Sequence, residues 1–143
     1  VYEFDYSLSP HEGNWKKSAA HRAGWEWNYP LQPCNWTPCF PIKPLRRSKK
    51  LPEAHSFLQV NRNNVVVAAV APSAVQEGAY VVRVVEYHQR TGSVTLTFPK
   101  PIKQAEEVNF LENVTGPVTV QGKKVTFNAN AAGIHSIRVL LED

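Results

Sequence analysis

Val94-Thr95-Leu96-Thr97-Phe98 places an apolar side chain at every second position with a threonine between each pair. Successive side chains of an extended chain point to opposite faces, so this run reads as a strand with one face in a core and the other in water. Ile137, Val139 and Leu141, alternating with Ser136, Arg138 and Leu140, repeat the pattern near the C-terminal end. Between and before them lie further β-rich runs bounded by turn residues. The full set is 57–60, 65–71, 80–88, 93–98, 105–111, 118–120, 125–128 and 134–141. Gln121-Gly122-Lys123-Lys124 has the composition of a hairpin turn, and Arg90-Thr91-Gly92 is expected to join a second antiparallel pair. Val65–Ala71 lacks polar alternation, which places it in the middle of a sheet. The expected fold is mainly β, an antiparallel β-sandwich of about eight strands over residues 57–143.

Upstream the character changes. Tyr2, Phe4 and Tyr6 alternate with Glu3 and Asp5, the pattern of an N-terminal strand whose aromatic face packs inward. Asn14 is a good N-cap, and Trp15, Ala19, Ala23 and Trp27 recur every four positions, predicting one short helix that ends before Pro30. Residues 1–31 thus form a strand-turn-helix segment. Residues 32–56, with prolines at 33, 38, 41, 44 and 52, read as an extended Pro-rich connector, because proline lacks the N–H that a helix interior or central strand requires.

The chain of 143 residues carries a net charge of +4, and the basicity is local. Lys43, Arg46, Arg47, Lys49 and Lys50 all fall in the connector, where a solvated linker is the commoner reading and a surface for acidic partners the sharper one. Neither nucleic acid nor membrane is an expected partner: no apolar run reaches the length of a transmembrane helix. Cys34 and Cys39 are compatible with a small disulfide loop or with two free thiols. A first residue of Val and the absence of Met suggest a fragment or a processed chain.

Signatures of catalysis are missing. There is no Gly-rich phosphate loop and no Gly-x-Ser-x-Gly elbow. The histidines at 11, 21, 55, 88 and 135 and the two cysteines have no zinc-ligand spacing, so no metal ligand is assigned. The acidic residues form no identifiable pair, and Glu106 and Glu107 should point to opposite faces of a strand. No catalytic residue is expected in these 143 residues. Two charges on one apolar strand stand out: Arg83 shares a face with Val81, Val85 and Tyr87, and Glu86 shares the other with Val82 and Val84. Each needs a structural partner, a route to solvent or a ligand. All four tryptophans precede residue 37, suited to packing across an interface or to stacking on a sugar ring.

Tyr6-x-Leu8-x-Pro10-His11-x-Gly13-x-Trp15, with Asn28-x-Pro30-Leu31 behind it, forms one distinctive block. Val65–Pro72, Gly78, Tyr80–Glu86, Val108-Asn109-Phe110-Leu111-Glu112 and Ile134-His135-Ser136-Ile137 form another. Together they resemble the C-terminal region of glycoside hydrolase family 38 α-mannosidases, especially the bacterial, archaeal and cytosolic branch. The resemblance implies a closing β-sandwich of a zinc-dependent, retaining hydrolase of α-mannosides, and it slightly favours a cytoplasmic setting. The nucleophile and the zinc would belong to an N-terminal catalytic domain of the same protein, so neither is carried onto a position here. It further implies that Tyr6, Trp15, Trp25 and Trp27 dock on that domain. His11, Trp15, Arg83 and Glu86 are the candidates for substrate contact at its rim, although His11 is equally suited to bonding its own turn. The rival reading is a free-standing carbohydrate-binding sandwich that uses Trp25 and Trp27 directly.

Overall fold

The structure, a computed structural model, describes residues 2–30 and 55–142. In chain order its elements are α1 (Ala20–Asn28), β1 (Gln59–Val60), β2 (Val65–Pro72), β3 (Ala79–Glu86), β4 (Gly92–Thr97), β5 (Ile102–Val108), β6 (Val114–Gly116), β7 (Thr119–Gln121), β8 (Lys124–Ala129) and β9 (Ile134–Leu141). The strands form two sheets, ordered β1-β4-β8-β7 and β2-β3-β9-β5-β6, and every pairing is antiparallel. The expected sandwich is therefore present. Its core is built from the inward positions that alternation marks: Val94 and Leu96 of β4, Val125 and Phe127 of β8, Val82 and Val84 of β3, Ile137 and Val139 of β9. Complete burial of such a side chain contributes about 1.5–3 kcal/mol. Gly122 holds the hairpin between β7 and β8 at φ 56, the left-handed region that glycine enters without strain.

Several expectations are corrected. Arg90-Thr91-Gly92 is no hairpin, since it carries the chain from β3 in one sheet to β4 in the other. Val65–Ala71 is not central: among the described residues β2 pairs only with β3 and so ends its sheet. A uniformly apolar run records the character of its two faces, not its neighbours on the two edges, and here Val65 alone is buried while positions 69–72 are exposed. Tyr2–Tyr6 forms no strand; Tyr2, Phe4, Tyr6 and Leu8 lie between 84% and 90% exposed. Alternation assigns these side chains a common face but supplies no backbone partner.

The helix is also shorter than its pattern. Asn14 does cap, its Oδ1 accepting the Lys16 and Lys17 N–H groups at 3.1 Å, but residues 15–19 form a turn rather than the first turn of a helix. Ala19 adopts φ 54 just before α1 begins. That left-handed residue breaks the four-residue phase, so Trp15 does not continue the face of Ala23 and Trp27. Residues 31–54, with Cys34, Cys39, the basic run and nearly all of the Pro-rich connector, lie outside the described residues. Among the described residues no helix is long and apolar enough to cross a membrane.

Candidate functional site

Glu86, at the end of β3, is 2% exposed and turned inward, where an isolated carboxylate would be strongly disfavoured. Four donors resolve this. Oε1 accepts from Asn64 Nδ2 at 2.6 Å and from the His88 N–H at 2.7 Å. Oε2 accepts from the N–H groups of Arg90 at 3.0 Å and Ala132 at 2.8 Å. Burial by itself raises the carboxyl pKa, but the bonds from Ala132, Asn64, Arg90 and His88 outweigh it and hold the group at about 2, below the ordinary 4.5. One side chain thus ties together the loops before β2, after β3 and before β9. Two backbone bonds reinforce the knot, Glu86 N–H to the Gly133 carbonyl at 3.0 Å and Tyr87 N–H to the Asn64 carbonyl at 2.9 Å.

The loops so fixed form a platform for the N-terminal segment. Lys16 Nζ donates to the His88 carbonyl at 2.8 Å, and Arg22 and His21 Nε2 donate to the Asn63 carbonyl at 3.3 Å. Trp25 Nε1–H donates to the Tyr87 hydroxyl at 2.7 Å. His21 stacks on Tyr87 with ring centroids 5.1 Å apart, and the edge-on rings of Trp15 and His21 lie 5.6 and 5.0 Å from His88. His88 is buried, and neither its Nε2 nor the Nδ1 of His21 has a hydrogen-bond partner. Burial first, and then the neighbouring His21, hold the His88 pKa below 6.5, so the neutral ring is favoured there.

Arg83 points the other way from the same strand. Its Nε donates to Ser136 Oγ at 3.2 Å, and its guanidinium lies 4.3 Å from the centre of the Phe110 ring. Phe110 belongs to a loop whose Glu112 binds the Ser73 hydroxyl and accepts the Ala74 N–H at 2.7 Å. The Ser73 and Ala74 bonds hold the Glu112 carboxyl below its ordinary value. Glu106 pairs with Arg138 on this outer face, which lowers its pKa, while Glu107 accepts from His135 Nδ1 at 2.7 Å on the other, so the two glutamates do diverge.

Of the candidates for substrate contact, Trp15 and Glu86 are brought together through His88, Arg83 lies on the opposite face under Phe110, and His11 is exposed in its turn. Of the candidates for docking, Tyr6, Trp15 and Trp27 keep exposed surface, whereas Trp25 docks on this chain's own sandwich. Beside Trp27, a cavity of about 670 Å³ is lined by Tyr6, Leu8, Ala23 and Asn28 among others. Sequence reasoning missed Asn64, Tyr87 and His88. The available signal was Glu86 itself, since an inward carboxylate demands donors and the loops flanking its strand can supply them. Among the described residues no three His, Cys, Asp or Glu side chains are placed to hold a metal ion.

No curated protein matches the chain by sequence. Residues 64–137 match the model of the glycosyl hydrolases family 38 C-terminal beta sandwich domain, a span that opens on Asn64, contains the whole Glu86 knot and leaves out the N-terminal turn and helix. That match covers more than half of the 143 residues, and the chain belongs to this family of C-terminal β-sandwich domains.

Proposed function

We propose that the chain is the non-catalytic C-terminal domain of a retaining, zinc-dependent α-mannosidase, and that its N-terminal turn and helix dock on the catalytic domain and border its sugar pocket. A family 38 C-terminal sandwich implies a catalytic domain in the same protein. The observation that carries the rest is the exposed apolar run: Tyr2, Phe4, Tyr6 and Leu8 stand in water, Tyr6 and Leu8 lining a cavity with the 55% exposed Trp27, all on a segment anchored to the sandwich through Lys16, His21 and Trp25. Exposed apolar surface on this scale marks an interaction site. Four carboxylates of the sandwich are bound to their own fold: Glu86 to three loops, Glu106 to Arg138, Glu107 to His135 and Glu112 to Ser73. On this reading zinc and the nucleophile belong to the catalytic domain, and this chain supplies shape and contact rather than bond cleavage.

The test uses the complete protein. Replacing Tyr6 and Trp27 together by alanine should weaken hydrolysis of an aryl α-mannoside and expose the domain boundary to protease, with the sandwich still folded. Unchanged kinetics and unchanged proteolysis would remove the docking role. His11→Ala, on the same reading, raises KM for mannosides while leaving folding intact. Calorimetry of the isolated chain with mannan distinguishes the rival: binding lost on Trp27→Ala would identify a carbohydrate-binding module instead.

A further inference from the structure

Among the described residues, the second half of β2, Ala69-Val70-Ala71-Pro72, ends its sheet, and it carries no charge. Natural edge strands are normally shielded by lysine, proline in the run, or a covering segment, because free N–H and C=O groups invite another strand. Among the described residues, this half is shielded by Pro72, its final residue, and by the register irregularity between Val67 and Ala69 that precedes it. The Ser73 N–H donates back across the turn to the Ala79 carbonyl, and antiparallel ladders alternate. The amide and carbonyl of Val70 therefore point away from β3.

Both faces beside this edge are hollow. On the inner face, Val70, Tyr80, Val82, Phe98 and Leu141 line an apolar cavity of about 440 Å³. On the outer face, Ala69, Ala71, Arg83, Phe110 and Glu112 line a smaller one of about 110 Å³. An added strand alternates its side chains between the two faces of a sheet, so a free edge flanked by one cavity on each side is the geometry of strand addition. The inner cavity suits a bulky aliphatic or aromatic residue. The outer one suits a small residue that leaves Arg83 against Phe110.

We propose that β2 is completed by an extended segment from the catalytic part of the same protein, which presents a bulky apolar residue to the inner cavity. This rests on the docking reading above. An uncharged apolar edge fits a permanent neighbour rather than a transient one, and the family places such a neighbour in the same chain. Residues 31–54 are a poor source on chemistry alone: their longest proline-free run, Leu45–Leu51, carries Arg46, Arg47, Lys49 and Lys50.

Hydrogen exchange at the Val70 amide, in the 143-residue chain and in the longer protein with its catalytic domain, tests the idea. The expected result is rapid exchange in the short chain and exchange slower by about 100-fold or more in the longer protein. Val70→Pro, which deletes the outward N–H at an edge position that tolerates proline, should leave the short chain's midpoint nearly unchanged and lower that of the longer protein. If Val70→Pro unfolds the short chain, Val70→Lys replaces it, with the same expectation. Equal, fast exchange at Val70 in both proteins, with Tyr6 and Trp27 newly protected, overturns strand addition but leaves docking standing. No new protection anywhere overturns both. Slow exchange already in the short chain, whether or not it depends on concentration, also overturns the proposal, because the chain or a second copy then covers its own edge.

Discussion

Leu96, Ile137 and Val94 are sealed between two sheets, whereas no residue of α1 is fully buried. The sandwich is stabilised by apolar area removed from water and by a carboxylate whose four donors come from its own loops. The turn and helix are held instead by a few polar contacts to carbonyls and one hydroxyl, with histidine and tryptophan rings between them. Equal chemistry at the two places therefore has unequal consequences. Loss of a contact in the sandwich threatens the whole fold, and loss of one at the platform frees a helix.

The largest effect should come from Glu86→Ala, which strands buried donors in three loops and should cost about 3–5 kcal/mol in urea unfolding. The carboxylate also fixes the sign of the acid response. Because its folded pKa is depressed, its stabilisation is present above pH 4.5 and is lost as pH falls towards about 2. Glu86→Gln should be destabilised at neutral pH and lose less than the wild type over that acid interval.

Leu96→Ala comes next, at about 2–5 kcal/mol for a cavity in a sealed core, with the unfolding midpoint again the readout. A smaller and local effect is expected of Tyr87→Phe. Removing the acceptor of the Trp25 indole costs about 1 kcal/mol, so amides of α1 should exchange about five-fold faster while those of β4 and β9 are unchanged. Equal acceleration in both regions would show that the two unfold as one unit.

His88 gives the platform its own pH dependence. Its folded pKa lies below 6.5, so docking of α1 is at full strength above that value and weakens as pH falls below it, when the buried ring must take up a proton. Protection of α1 should therefore fall as pH is lowered from about 7.5 to about 5.5, and His88→Gln should flatten the profile. The smallest effect belongs to Trp27→Ala, which should change the stability of this chain by less than about 0.5 kcal/mol; a larger loss would place Trp27 in the fold rather than at an interface.

Most of the sandwich was legible because alternation along Val94–Phe98 and Ile134–Leu141 records which face meets a core. What alternation does not record is the neighbour across the edge. Hence β2 passed for a central strand, Tyr2–Tyr6 for a paired one, and the three-residue β6 went unnoticed. Glu86 was recognisable as an anomaly from its position between apolar neighbours. Its partners were not, because Asn64 and Ala132 lie in other loops and three of the four donors, those of His88, Arg90 and Ala132, are backbone groups that carry no residue signature. The helix face was misplaced for a local reason, the left-handed Ala19.

The Glu86 knot also restricts how such a domain can diversify. Three connections that share one carboxylate cannot change length freely, since an insertion in any of them withdraws a donor from the Glu86 carboxylate that holds all three. Variation in loop length should therefore collect at the opposite end of the sandwich, around the β7–β8 hairpin at Gly122, and that end is the natural place to graft a tag or a new segment without disturbing the platform.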